Sequence, residues 1–187
     1  MKSIKPIYLI LLVVAILFVA LLKITNPYRE YGTMNFWQKA TIESVTEIPD
    51  EALKPGNKNG PVLMWAAMAS NNPDIIKALV KRGADVNEAD GNIFKGTPLT
   101  GAASRASNPE VIEQLIELGA DIDKRVNNDE TALMIAARFN HNPGIATTLV
   151  KLGSNPDDKN SLGISALDYA KLTNNETVLN ELKSFKK

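Results

Sequence analysis

The sequence predicts an all-α solenoid of about four stacked helix-turn-helix units with β-turn connections, preceded by an N-terminal transmembrane or signal-anchor helix. Three observations predict it. The phrases GPVLMWAA, GTPLTGAA, ETALMIAA and GISALDYA recur with their leucines at Leu63, Leu99, Leu133 and Leu167, which are 36, 34 and 34 residues apart. A second phrase, NPDIIKALVKRGADVN, NPEVIEQLIELGADID and NPGIATTLVKLGSNPD, begins at Asn72, Asn108 and Asn142, at one offset from the leucine each time. Ahead of both stands an unbroken apolar run, Ile7 to Leu22. Self-similarity at such a period marks units too small to bury their apolar faces alone, so that neighbours must stack.

The apolar run has sixteen residues between Lys5 and Lys23. It is slightly short for a membrane span and longer than a usual signal core, but flanking lysines can snorkel to the interface. No small-x-small cleavage site follows it, since Phe18 stands three residues before Ala20, and an uncleaved anchor over residues 1–25 is therefore expected. Lys2 and Lys5 before the run, against Lys23 and Arg29 after it, lean toward an inner-membrane, single-pass protein with the repeats facing the periplasm. The alternatives are a soluble periplasmic protein after signal cleavage and the reverse orientation. The chain has no cysteine, which excludes disulfides, thiolate metal sites and cysteine lipidation.

Residues 26–34 read as a tether and 35–59 as an N-terminal helical cap and loop. The cap is one helix from Asn35 to Glu47, stopped by Pro49. Trp65 is expected to be buried against this cap. Trp37 either neighbours it or lies at a membrane surface.

The units then run 60–95, 96–129, 130–163 and 164–187. Thr97, Thr131 and Ser165 cap the first helices through their hydroxyls, and Pro98 sits at a first helical position where a missing N–H costs nothing. The pairs Ala66-Ala67, Ala102-Ala103 and Ala136-Ala137 are small because neighbouring units must approach closely there. In the second helices Ile75, Ile76, Leu79 and Val80 recur as Val111, Ile112, Leu115 and Ile116, one buried stripe at helical spacing. Gly83, Gly119 and Gly153 fall just past the helix ends, where a left-handed residue closes the last turn. The fourth unit is shortened, carries Lys171 in place of the second alanine, and suits a terminal cap with a solvated face.

These residues resemble the ankyrin repeat, a unit of β-turn plus two helices with T-P-L-H-x-A at the first helix. The resemblance covers roughly residues 60–187. The signature histidine is replaced by Met64, Thr100, Met134 and Asp168, and the first three units have one extra residue before the second helix. The resemblance implies a protein-binding module with a rigid surface rather than a catalyst.

The chemistry visible in the residues agrees with that expectation. His141 is the single histidine and lacks the ligand cluster a metal needs, so a structural or neutral role is expected, by resemblance hydrogen bonding backbone. The carboxylates Asp85, Glu88, Asp90, Asp121, Asp123, Asp157 and Asp158 fall in successive turns, as backbone-capping turn residues do. No nucleophile with a base, no phosphate loop and no ligand cluster is visible, so no cofactor, metal or small-molecule substrate is expected; the alternative is a small envelope hydrolase or metal-dependent enzyme with an unrecognised site. From Ile24 onward there are 18 basic and 21 acidic residues and no basic stripe, which argues against nucleic acid.

The expected partner is a protein, met on the concave surface. Positions after the alanine pairs, Met68, Ser104, Arg105, Arg138 and Phe139, form the expected row. The turn tips add Ile93, Phe94, Lys95, Val126, Asn127, Glu130 and Leu162. Arg105, Arg138, Phe94 and Phe139 are the expected hot spots, and the convex residues Lys77, Glu113 and Glu117 are the second choice. Inhibition of, or immunity to, a secreted toxin and accessory support of an envelope enzyme both fit such a module.

Overall fold

Ten α-helices form among the residues that the computed structural model describes, 29–56, 61–91 and 95–185. The chain divides into two units, Met1–Glu30 and Tyr31–Lys187, and the repeats with their cap lie in the second. Helices α1 (Met34–Lys39) and α2 (Ile42–Thr46) precede four pairs: α3 (Val62–Ala69) with α4 (Pro73–Lys81), α5 (Pro98–Arg105) with α6 (Glu110–Glu117), α7 (Ala132–Phe139) with α8 (Pro143–Lys151), and α9 (Ala166–Leu172) with α10 (Glu176–Ser184). No strand forms among the described residues, and one isolated β-bridge joins Val126 and Glu130. The expected anchor, residues 1–25, lies outside the described residues. No described helix is long and apolar enough to cross a membrane.

First helices pack on first helices, α3 on α5, α5 on α7 and α7 on α9, and second helices form a parallel outer row. The fixed alanines explain the tighter inner row. Ala66, Ala67, Ala102, Ala103, Ala136 and Ala137 are all buried, so that any larger side chain there overpacks the stack. Caps work as their sequence implies: the hydroxyls of Thr97, Thr131 and Ser165 accept the N–H of Thr100, Met134 and Asp168. Thr100 and Asp168 stand where the signature histidine is replaced, and both reach back to the cap backbone to close a capping box. The Ser165 hydroxyl bond holds the Asp168 carboxyl below its usual range. Gly83, Gly119 and Gly153 close their helices at φ of 101°, 96° and 115°.

The N-terminal cap is two helices, not the single helix expected over 35–47. Ala40 is extended, and Thr41 with Ser44 forms a capping box that starts α2 afresh. The break lets α1 pack on α3 and α2 on α4, so the cap is a half-sized layer in the same stack. Arg82 fastens that layer to the first repeat: its guanidinium donates to the carbonyl of Val45, to that of Ile48 at 2.6 Å and to the Asp50 carboxylate at 2.5 Å. Trp37 is the buried aromatic of the cap and donates its indole N–H to the Tyr31 carbonyl at 2.7 Å. Trp65, expected to be buried, is only half-buried.

Candidate protein-binding groove

The residue added before each second helix has a structural consequence that positions the site. In the fourth repeat the chain turns tightly from α9 into α10 through Asn174 at φ 54°. In the first three repeats an extended segment replaces that turn: Ser70 to Asn72, Ala106 to Asn108 and Asn140 to Asn142. Extended backbone leaves carbonyls without helical partners, and side-chain amides of the next repeat satisfy them. Asn108 Nδ2 donates to the Asn71 carbonyl at 2.8 Å, Asn142 Nδ2 to that of Ser107 at 2.8 Å, and Asn175 Nδ2 to that of Asn140 at 2.9 Å. Asn140 Nδ2 bridges the carbonyls of Ala103 and Ala106 at 3.1 and 3.0 Å. The backbone-bonding task expected of His141 belongs to its buried neighbour Asn140, while His141 is exposed.

This asparagine ladder holds the ends of the first helices as the floor of a groove of about 580 Å³. Met68, Ser104, Arg105 and Phe139 line it, together with Met34 and Gln38 of the cap and Asn71, Ser107 and Asn140 of the extended segments. Ser104, Arg105 and Phe139 also enclose a recess of about 340 Å³. Phe139 is 54 % exposed, large for an aromatic ring in a well-packed domain. Arg105 is exposed and forms no ion pair among the described residues.

Arg138, expected in the same row as a contact residue, is engaged by its own protein. Its guanidinium donates to Glu130 Oε1 at 3.2 Å and lies 4.8 Å from the Phe139 ring centroid and 5.3 Å from that of Tyr169. Glu130, expected at an exposed turn tip, is buried. Its carboxylate accepts from the Tyr169 hydroxyl as well as from Arg138, and Asn160 Nδ2 donates to the same hydroxyl at 2.9 Å. Burial, then the hydrogen bond to Glu130, pushes the Tyr169 phenol above its usual range. Glu130 is thus a structural link between the third and fourth repeats.

The remaining tip residues stand at the opposite end of the first helices. A helix of eight residues, the length of α5, separates the two ends by about 12 Å. Lys95 is exposed with a left-handed φ of 50°, and Val126 and Asn127 are half-buried around the β-bridge. Leu162 is well exposed at the last turn. Ile93 and Phe94 lie outside the described residues. The described tip residues and the groove therefore do not form one patch. Turn carboxylates cap backbone, as Asp85 Oδ1 does for Asn87 N–H at 2.8 Å, Asp121 for Asp123 and Asp90 for Gly96.

Sequence reasoning missed Met34, Gln38, Asn71 and Ser107 in the groove, and Leu172 in the row. Met34 and Gln38 reach the groove because α1 stacks as a layer of its own. Asn71 and Ser107 reach it because of the extra residue, which was visible in the alignment. Leu172, 67 % exposed, continues the row of Met68, Ser104 and Arg138 into the fourth repeat.

Stacked helix pairs with a groove across the inner helix ends define a repeat solenoid built for surface recognition. The family model for Ankyrin repeats (3 copies) matches residues 63–160 and 99–185, and the chain belongs to that family. No curated protein compared with the chain matches it. Ankyrin repeats are a protein–protein interaction module, and the family is typically not enzymatic.

Proposed function

We propose that this protein binds a protein partner in the groove at the inner helix ends, and does so at the cell envelope. The observation that carries the first part is the alignment of Met68, Arg105 and Phe139 on three successive repeats around one groove. An aromatic ring, a guanidinium and a thioether are the side chains that concentrate binding energy at interfaces. The envelope placement is supported by the sequence alone, through the apolar run Ile7 to Leu22 and its lysine flanks. A module so placed suits an inhibitor or immunity protein of a secreted enzyme, or an accessory factor of an envelope enzyme.

Two measurements test the reading. Alkaline phosphatase fused after Lys187 is active if the repeats face the periplasm and inactive if they face the cytoplasm. The Arg105→Ala/Phe139→Ala variant keeps its helical circular dichroism and loses the partner that the wild type captures from envelope extract. A folded variant that retains the partner moves the site to the convex face, where Lys77, Glu113 and Glu117 are exposed.

A further inference from the structure

We propose that the groove seats an acidic segment of the partner protein, with a side-chain carboxylate on Arg105 and an adjacent apolar side chain against Phe139. The proposal rests on the groove reading above and names the chemistry that fills it. Four arginines have described side chains, and three of them are paired: Arg82 with Asp50, Arg125 with Asp158, and Arg138 with Glu130. Arg105 alone among these four has no carboxylate. Among the described residues, none that lines the groove carries negative charge, and Arg105 is the one cation there.

The other polar groups around the groove are partly consumed. The Ser107 hydroxyl donates to Asn71 Oδ1 at 2.5 Å, and the Ser104 hydroxyl donates to the Gly101 carbonyl at 2.7 Å. What remains toward a ligand is mainly donor capacity: the five N–H groups of Arg105 and the amide N–H groups of Asn71 and Gln38. A carboxylate uses those donors, bidentate on the guanidinium. Beside it, one face of Phe139 is taken by Arg138, and the rest of the ring is open in the recess it shares with Arg105. An apolar side chain next to the carboxylate fills that recess.

Charge elsewhere sharpens the choice. The chain from Ile24 onward is slightly acidic, so a long polyanion meets repulsion away from this seat. The occupant is a segment with one or two carboxylates flanked by apolar residues.

The test uses the full chain in mild detergent and fluorescein-labelled peptides of about twelve residues that pair Glu with Leu or Phe at varied spacings. Matched series carry Gln or Lys in place of Glu. At least one Glu peptide binds about tenfold more tightly than its Gln partner, as a charge-assisted bidentate pair implies. Arg105→Ala removes that preference, Arg105→Lys keeps part of it, and added salt narrows it. The proposal is overturned if no Glu peptide binds, if Glu and Gln peptides bind alike, or if the preference survives Arg105→Ala. Equal binding of Glu and Gln peptides that Phe139→Ala abolishes leaves the groove standing and removes only the carboxylate seat. Self-association of the chain that Arg105→Ala abolishes, read by sedimentation velocity, assigns the seat to a second copy and overturns a separate partner.

Discussion

Arg105 and Arg138 close the first helices of adjacent repeats, yet their surroundings differ completely. Arg138 is tied to a buried carboxylate and lies against two rings. Arg105 stands in solvent at the groove without an ion pair among the described residues. The two stand one helical step apart in register, Arg105 six residues after Leu99 and Arg138 five after Leu133, and the positions around them differ as well. Where the third repeat has Glu130 before its cap, the second has Gly96; where the fourth has Tyr169 facing back, the third has Ile135 and the second has Gly101. Register within the repeat sets where a side chain emerges, and the residues that face it, from its own repeat and from the next, decide whether it is free.

The largest effect that tests this contrast is expected at Glu130. Glu130→Ala leaves the buried Tyr169 hydroxyl without its acceptor and Arg138 without its counter-charge. Loss of a partner for buried polar groups costs about 2 kcal/mol here, less than for a fully buried ion pair because Arg138 is 41 % exposed. Urea unfolding followed by circular dichroism, with an unchanged slope, reports it. A change near zero would mean that the Glu130 cluster holds nothing together and that Arg138 is as available as Arg105.

Much of this architecture was legible in the sequence because it is local. Helix caps and closing glycines act within one repeat, and the alanine pairs, which set the approach of neighbours, recur at a fixed offset, so their spacing survives in the letters. The polar bonds between repeats were not legible. The asparagine amides act across 34 to 37 residues, from the side chain of one layer to the carbonyls of the layer before. Glu130 looked like a turn residue because it sits between polar neighbours, and only the approach of Tyr169 from the fourth repeat buries it. The cap looked like one helix because Phe36, Ala40 and Val45 keep rough helical spacing across the break at Thr41. Leu172 is hidden because the fourth unit, shortened by one residue and rich in lysine, has the letters of a solvated end.

A smaller effect is expected at Gly101, which sharpens the contrast on the cap side of the groove. A Cβ there would lie 2.8 Å from Met64 Cγ and 3.0 Å from Met68 Cγ, inside van der Waals distance. Helix propensity favours Gly101→Ala by up to about 1 kcal/mol, while overpacking costs about 1 to 3 kcal/mol. The contact atoms lie close to the α3 backbone, so the clash prevails and stability falls by about 1 kcal/mol. Met68 moves in the groove as a result, and affinity for the captured partner falls with it. A more stable Gly101→Ala variant would show that the two methionines yield freely.

The smallest effect on stability is expected at Arg105 itself. Arg138→Ala removes an ion pair to a buried carboxylate and a guanidinium lying against two rings. Discounted for its solvent exposure, the change costs about 1 kcal/mol. Arg105→Ala removes no ion pair seen among the described residues, and α5 ends at this residue, so helix propensity contributes little. Its stability should stay within about 0.5 kcal/mol of the wild type. The two single variants, unfolded in urea side by side and then assayed against the captured partner, separate the roles. Arg105→Ala should keep its midpoint and lose binding, whereas Arg138→Ala should lower its midpoint and weaken binding less. Equal losses of stability would remove the distinction between the two arginines. Equal losses of binding with both midpoints unchanged would return Arg138 to the contact surface and make the Glu130 pair a resting arrangement that the partner displaces.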